Sequence, residues 1–266
     1  MLGHLNAAAG VIVARRRILA RTTLTEIRRR YAGSVFGALW LLIGPLALMV
    51  IYAVFYVFIF RLRPAEFGTG QYVLYIFCGL LPYLGFSEAL TAGTASLAAQ
   101  RDVLLNTAFP AELVPLRAVL VSLAAPSVGL VVVLIADALI GRFTLWNLLV
   151  PVVLVLLAMF VTGLVLLLSL ANLVLRDIQQ FLVYLAMILL IASPIAYTPS
   201  MLPHAFAVII WLNPLSYFVL AIQDLVLFDA FPPWPVVAGC LVLGVGGFAF
   251  GWRTFGRAKQ VFFDYA

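Results

Sequence analysis

Residues 15–60 read RRRILARTTLTEIRRRYAGSVFGALWLLIGPLALMVIYAVFYVFIF. The first part of this stretch holds seven of the chain's sixteen lysines and arginines, whereas the second part, from Ala38 to Phe60, carries no charge. At about 1.5 Å per residue, a helix over residues 38–60 is long enough to cross the roughly 30 Å hydrocarbon core of a bilayer. Because arginine is retained on the cytoplasmic side, the junction predicts a cytoplasmic N-terminus and a first span that leads outward.

The composition is that of a membrane protein. Hydrophobic residues make up 65% of the 266 residues and charged residues 10%, whereas soluble domains carry about 25% charged residues. We therefore expect an all-α membrane protein with a single transmembrane domain over residues 1–266. The net charge of +6 does not indicate a nucleic-acid partner, because anionic membrane lipids and retained arginines account for it. Cys78 and Cys240 lie in apolar runs and predict no disulfide framework.

The basic stretch predicts an amphipathic helix over residues 15–36. On a helical wheel its apolar residues share one narrow arc, namely Ala20, Leu24, Ile27, Tyr31 and Val35. The arginines and Glu26 occupy the remaining directions. Such a helix lies flat on the cytoplasmic leaflet, and the alternative is a plain orientation signal. Gly33 and Gly37 are expected to let the chain turn into the first span.

Hydropathy predicts six membrane-spanning helices. Their approximate bounds are 38–60, 72–97, 118–140, 148–173, 181–196 and 236–252. Residues 199–228 contain several prolines and two apolar stretches too short to cross a bilayer, so we interpret them as short re-entrant helices at the outer face. The alternative is one more full span, which would place the C-terminus outside. Charge favours six spans and cytoplasmic termini, because thirteen of the sixteen basic residues then lie inside and only Arg61, Arg63 and Arg142 lie outside.

Polar side chains within the predicted spans are candidates for lining a transport path. Tyr52 and Tyr56 lie one turn apart in the first span, where they would either stack on sugar rings or belong to the aromatic belt at the interface. Glu88 lies inside the second span, where a carboxylate is costly unless it faces protein or water. It is either the partner of a neighbouring helix or a residue of the path. Asp137 lies near the outer end of the third span, where we expect it to be solvated.

Several kinds of chemistry have no counterpart in the sequence. There is no glycine-rich phosphate loop ending in Lys-Ser or Lys-Thr, and the only lysine is Lys259, near the end of the chain. Two histidines and two cysteines form no metal-ligand pattern. A chain of intramembrane acids, typical of proton-driven carriers, is also absent. We therefore expect a transport path without a motor of its own. A membrane-embedded glycolipid enzyme is the alternative of a different class.

Several motifs resemble those of polysaccharide and polyol-phosphate export permeases, the membrane subunits of type-II ABC exporters. The first comprises residues 24–31 (LTEIRRRY), followed by Gly33-Ser34, Gly37, Trp40 and Pro45; Thr25-Glu26 stands where the family usually has Arg-Asp. Residues 109–116 (FPAELVPL) resemble the family's cytoplasmic signature, with Asn106-Thr107 in place of the basic residues often found upstream. Further matches are Asn172, Arg176-Asp177, Ser193-Pro194-Ile195, Tyr197, Pro203, residues 212–215 (LNPL) and residues 255–264.

This resemblance implies two copies of this subunit and two copies of a separate ABC ATPase, which would hold the ATP and Mg²⁺. No cofactor is expected in this chain, and membrane lipids surround it. The implied roles are passage of a lipid diphosphate at Arg28, Arg29, Arg30 and Tyr31, ATPase coupling at Arg101, Asp102, Arg176 and Asp177, and an outer gate at Pro199, Pro203, Asn213 and Pro214. The expected substrate is an undecaprenyl-diphosphate-linked polysaccharide, an O-antigen, that crosses the bacterial inner membrane. The alternatives are a capsular-polysaccharide or teichoic-acid exporter and a drug or antibiotic efflux permease of the same fold.

Overall fold

The chain folds into a bundle of α-helices. The structure is a computed structural model that describes residues 8, 10–59, 67–106, 109–201, 203 and 207–264, and no β-strand occurs within these ranges. In chain order the helices are α1 (Arg16–Arg30), α2 (Trp40–Ala53), α3 (Thr69–Ala99), α4 (Arg101–Asn106), α5 (Leu113–Leu139), α6 (Val150–Val174), α7 (Ile178–Ala192), α8 (Ala207–Leu212), α9 (Pro214–Leu227), α10 (Trp234–Leu241) and α11 (Gly247–Asp264). Short 3-10 turns span Gly37–Leu39, Leu145–Leu149 and Pro199–Met201, and π turns span Val54–Ile59 and Val242–Gly246.

Within the described residues, five helical segments are long and apolar enough to cross a membrane. They cover Gly37–Tyr56, Thr69–Ala99, Leu113–Leu139, Leu145–Val174 and Trp234–Lys259. These segments correspond to the first four predicted spans and the last one. The last segment starts and ends outside the predicted bounds of 236–252, because lysine and arginine are good helix formers and the helix continues past the end of the apolar run.

The fifth predicted span, residues 181–196, is shorter in the structure. It corresponds to α7, whose 15 residues extend about 22 Å, less than the hydrocarbon core. The helix ends at Ala192 because Ser193 precedes a proline and adopts an extended conformation, with φ −86° and ψ 141°. The total of six spans therefore stays a prediction.

The interface helix and the first span are joined by a tight turn. α1 ends at Arg30, before the predicted bound of residue 36, and residues 31–36 form turns. Gly33 and Gly37 have φ of +80° and +47°, which side chains with a Cβ rarely adopt. These values confirm the predicted turn at the two glycines.

α3 forms the centre of the bundle and is largely buried against α5, α6 and α9. Elsewhere, α6 and α11 approach so closely that only glycine fits between them. A Cβ on Gly251 would lie 2.2 Å from the carbonyl oxygen of Gly163. Gly247 and Gly251 lie four residues apart, a spacing in the sequence that predicts close helix packing in membranes, and the structure shows this packing.

Side-chain contacts define two ends of the bundle. We call the basic end the one where α1 meets the start of α5 through Leu19, Leu113 and Leu116. The ends of α3, α6 and α11 gather at the same end, around Leu97, Leu170 and Phe255. The opposite end holds the start of α3, the turn between α5 and α6, and the segment that follows α7.

The turn between α5 and α6 buries a carboxylate that was expected to be solvated. Asp137 is only 1% exposed, and its Oδ2 accepts a hydrogen bond of 2.9 Å from Nδ2 of Asn147. The 3-10 turn Leu145–Leu149 folds Asn147 onto the last turns of α5. The prediction of a solvated Asp137 was therefore wrong, because the asparagine replaces the solvent.

The predicted short helices of residues 199–228 are α8 and α9. Asn213 caps α9, since its Oδ1 accepts from the backbone N–H of Leu215 at 3.0 Å, and Pro214 occupies the first turn. α9 is mostly buried and packs against α3 and α6. The re-entrant position of these helices in a membrane stays a prediction.

Candidate functional site

A polar cavity of about 490 Å³ lies between α1, α3 and α5 at the basic end. Its polar lining consists of Glu26, Arg29, Arg30, Glu88, Ser96, Gln100, Arg117 and Ser122. Three arginines against two glutamates leave an excess of positive charge. Guanidinium groups bind phosphate oxygens with paired, charge-assisted hydrogen bonds, so the cavity is suited to an anionic group of that kind. We call it the basic cavity.

α1 uses two different faces. One face turns to the bundle, where Leu19 is buried against α5 and Arg30 borders the basic cavity. The apolar arc predicted from the helical wheel lies on another face, and the protein leaves Leu24 49% exposed and Val35 97% exposed. Exposed apolar side chains such as Leu24 are what an interfacial helix offers to lipid, whereas Ile27 and Tyr31 of the same arc are partly buried. This arrangement supports the amphipathic interpretation of the basic stretch.

An ion pair connects α1 to α3 across the basic cavity. Nη1 of Arg30 contacts Oε1 of Glu88, and the two side chains remain 45% and 34% exposed. The ion pair agrees with the interpretation of Glu88 as the partner of a neighbouring helix, and a role of Glu88 in the transport path stays a prediction. Because both side chains keep access to the cavity, an anion that entered it would compete with Glu88 for Arg30.

A second cavity of about 420 Å³ continues from Glu88 between α2, α3 and α5. Its lining is largely apolar and aromatic and includes Tyr31, Trp40, Leu48 and Tyr83. We call it the aromatic cavity. Glu88 borders both cavities, so the character of the surface changes from basic to aromatic at this one residue.

The three adjacent arginines predicted to meet a diphosphate point in different directions. Arg29 and Arg30 line the basic cavity, and Tyr31 lines the aromatic one. Arg28 is exposed and is not among the described residues of either lining. At about 100° per residue it lies on the side of α1 away from Leu19, which packs on the bundle. The predicted group thus separates into cavity residues and one surface residue.

Tyr52 and Tyr56 stack on each other. Their ring centroids are 5.9 Å apart with an interplanar angle of 15°. Both rings pack against the core of the bundle and are partly buried. Their role in a sugar path stays a prediction.

Arg117 is a cavity residue that the sequence analysis missed. It was counted only in the charge balance, yet it lies in the second turn of α5 and borders the basic cavity opposite Arg29 and Arg30. Its spacing to Val121 and Ser122 places these side chains along one stripe of α5. In the sequence, Arg117 could have been recognised as a cavity residue because an arginine and this stripe stand at the start of an apolar helix.

The residues predicted to couple to an ATPase lie on two exposed segments at the basic end. Arg101 and Asp102 begin α4, and Arg176 and Asp177 lie between α6 and α7. All four are exposed. They are accessible to a partner from the same side of the bundle, and their contact with an ATPase stays a prediction.

The residues predicted to form an outer gate do not gather at one site. Pro199 borders a third cavity at the opposite end, and Pro203 is exposed. Asn213 is buried, and its Nδ2 donates to Oγ of Ser193 at 2.8 Å, which ties the end of α7 to the start of α9. Asn213 and Pro214 therefore hold the short helices in place, and their gating role stays a prediction.

Comparisons with known proteins agree with the motifs. The chain is 28% identical over 212 residues to the O-antigen export system permease protein RfbA of Klebsiella pneumoniae, covering 78% of this chain and 79% of the relative. It is 28% identical over 203 residues to the protein of the same name from Myxococcus xanthus, covering 75% and 76%. No protein-family model matches the chain. The predicted resemblance to polysaccharide export permeases is confirmed by these relatives.

Proposed function

We propose that this chain is the membrane-spanning permease subunit of an exporter that moves O-antigen, assembled on a lipid diphosphate, across the bacterial inner membrane. The observation that carries the proposal is the basic cavity between the interface helix and the bundle. The names of the relatives favour O-antigen over capsular polysaccharide, teichoic acid and drugs as the substrate.

The basic cavity fits the head of such a lipid. A diphosphate carries several oxygens that accept hydrogen bonds, and Arg29, Arg30 and Arg117 offer guanidinium donors from two helices. The exposed apolar side chains of α1, such as Leu24, lie in the leaflet in which the lipid tail remains. The head can therefore enter between α1 and α5 while the tail stays in the membrane.

The Arg30–Glu88 ion pair serves as a latch for this site. In the resting protein, Glu88 neutralises Arg30 and ties α1 to α3. A diphosphate brings more negative charge than one carboxylate, so it displaces Glu88 from Arg30. Released Glu88 then borders the aromatic cavity, whose tyrosine and tryptophan rings stack on the first sugars.

The orientation and the partners follow from charge and exposure. The basic end faces the cytoplasm, because basic residues are retained there. α7 completes a sixth span, and both termini are cytoplasmic.

The exposed segments at Arg101 and Arg176 seat a separate ATPase that holds ATP and Mg²⁺. The Gly37–Tyr56 segment, in which few residues are buried by the rest of the chain, faces lipid and a second copy of the chain. α8 and α9 form the outer gate.

A comparison of two double variants on the same helix tests the proposal. Arg29→Ala combined with Arg30→Ala removes two cavity arginines, whereas Arg21→Ala combined with Arg28→Ala removes two exposed arginines that are not among the described lining residues. Both change the charge of α1 equally. We expect the cavity variant to lose surface O-antigen and to accumulate lipid-linked glycan inside the cell, while the control keeps near-normal surface O-antigen.

The measurement is the amount of surface O-antigen at matched levels of permease in the membrane. Normal export by the cavity variant would contradict the proposal. An equal loss in both variants would show that the total charge of α1 matters and that the cavity does not.

A further inference from the structure

The third cavity, of about 330 Å³, lies at the opposite end between α3, α9 and the 198–200 segment. Among the described residues that line it there is no lysine or arginine. Its polar groups are hydroxyl, amide and carboxylate groups on Tyr75, Thr198, Ser200, Gln223 and Asp224. This lining is unsuited to a diphosphate and resembles what hydroxyl-rich ligands require.

Gln223 is a buried residue of this lining, and the orientation of its amide is fixed. Its side chain is 1% exposed, and Nε2 donates to the carbonyl oxygens of Pro194 at 2.9 Å and Tyr75 at 3.3 Å. Two carbonyl acceptors at the same end of the amide fix its orientation, since only the NH₂ group can donate to both. Within the described part of the chain, Oε1 accepts no hydrogen bond. A buried acceptor without a donor is costly, so the hydroxyl of a ligand that reached Oε1 would be bound favourably.

Asp224 adds a charged acceptor next to this amide. Its side chain is partly exposed and borders the cavity, and it takes part in none of the ion pairs found among the described residues. The hydroxyls of Thr198 and Ser200 lie 2.8 Å from each other on the facing segment. Donors and acceptors thus face each other across the cavity.

Aromatic rings complete the lining. Tyr75 and Phe228 both border the cavity and both contact the ring of Phe67, at centroid distances of 5.3 and 5.8 Å. Ser200 and Phe228 are exposed, so the cavity is open at the surface. Tyr75 is only 1% exposed, so it is the 49% exposed ring of Phe228 that offers a flat apolar surface to the face of a sugar ring.

We propose that this cavity binds one neutral monosaccharide residue, with Asp224 accepting hydrogen bonds from sugar hydroxyls beside the exposed ring of Phe228. Its volume lies near the lower end of the roughly 300–1,000 Å³ typical of ligand pockets, which suits a single ring and not a chain. A divalent cation is disfavoured, because Asp224 is the only carboxylate among the described lining residues and calcium takes six to eight oxygens. The inference rests on the proposed function only for the source of the sugar, which is the exported glycan.

Binding of soluble sugars to the purified exporter tests the site. The probes are lipid-free O-polysaccharide released from the same strain and methyl glycosides of its constituent sugars, titrated by saturation-transfer NMR. Asp224→Asn removes the charge but keeps the shape, and Ser200→Trp fills the cavity from an exposed position. Asp229→Asn is the matched control, because this carboxylate lies at the same end, pairs with Arg142 at 3.7 Å and is not among the described lining residues.

We expect saturable binding that weakens at least tenfold in Asp224→Asn and in Ser200→Trp and stays unchanged in Asp229→Asn, with equal thermal midpoints for the three variants. Wild-type affinity in both cavity variants, or no binding of either probe, would overturn the proposal. So would a site that takes up Ca²⁺ through Asp224 and no sugar. Binding is read without transport, so a chain that binds methyl glycosides but exports no O-antigen would overturn the proposed function alone.

Discussion

The two ends of the bundle are held together by different forces. At the basic end, charged side chains connect the elements, as in the exposed Arg30–Glu88 pair and in the contact of Lys259 with the partly buried Glu112 at 3.2 Å. At the opposite end, tyrosine hydroxyls of α3 donate to backbone carbonyls, as Tyr72 does to Ala196 at 2.7 Å. Exposed ion pairs are weak and exchange readily with other ions, whereas hydrogen bonds to carbonyls do not respond to an anion. The opposite end also has an ion pair, between Arg142 and Asp229 at 3.7 Å, but there Arg142 is also held by a hydrogen bond of 2.8 Å to the carbonyl oxygen of Leu227. The comparison teaches that an anionic ligand loosens the basic end more readily than the opposite end.

α6 and α11 pack in close contact, so a substitution that separates them has the largest expected effect on stability. Gly163→Leu places a side chain where even a Cβ would lie 2.3 Å from the carbonyl oxygen of Gly247. The backbone cannot yield as a flexible side chain does, so we expect a loss of at least about 3 kcal/mol of stability. The yield of folded protein after detergent extraction should collapse.

Gly256→Leu is the matched control for this substitution. It lies on α11 as well, but no heavy atom lies within 4 Å of the position its Cβ would take. We expect wild-type yield, because leucine is also a better helix former than glycine. A folded, exporting Gly163→Leu protein would show that the two helices can separate without loss of the bundle.

The latch predicts opposite effects for the two members of the ion pair. Arg30→Ala removes a charge-assisted donor, which is worth about 1.5–3 kcal/mol and so weakens binding of a short-chain polyprenyl diphosphate at least about tenfold. Glu88→Gln removes the competitor of the diphosphate, and we expect severalfold tighter binding. The measurement is the affinity of the purified exporter for that lipid in nanodiscs.

The salt dependence of the same affinity sharpens the comparison. Binding to the wild-type protein should weaken as salt rises, since cavity arginines attract the anion through water-accessible space.

One outcome would contradict the latch. If both Arg30→Ala and Glu88→Gln weakened binding of the diphosphate, the ion pair would be needed to shape the cavity, and the latch would be wrong.

The sequence predicted the parts of the fold that depend on local pattern. Apolar runs predicted the five long helices, positive φ was expected at Gly33 and Gly37, and the glycine spacing predicted the packing of α11. The end of α7 was missed, since hydropathy continues through residues 193–196 although Pro194 ends the helix. Hydropathy shows which residues are apolar, but it does not show where the backbone leaves the helical conformation.

The candidate site depends on contacts between distant residues, which a single sequence does not reveal. A helical wheel separated the apolar arc of α1 from its arginines, but it could not tell which arginines face α5. Arg30 and Glu88 are 58 positions apart, and Arg117 comes from a third helix. Only the packing of α1 through Leu19 distinguishes Arg29 and Arg30 from Arg28.

A single hydroxyl at the opposite end has the smallest expected effect. Tyr72→Phe removes the hydrogen bond to the carbonyl oxygen of Ala196 and keeps the ring in place. A neutral hydrogen bond contributes about 0.5–1.5 kcal/mol, so we expect the thermal midpoint to fall by about 2–4 °C. The shift should be the same at low and high salt, because no charge takes part. Affinity for the polyprenyl diphosphate should stay at the wild-type value, since Tyr72 is not among the described residues of the basic cavity. A change in that affinity would show that the two ends are coupled, and the independence of the basic end from the opposite end would then fail.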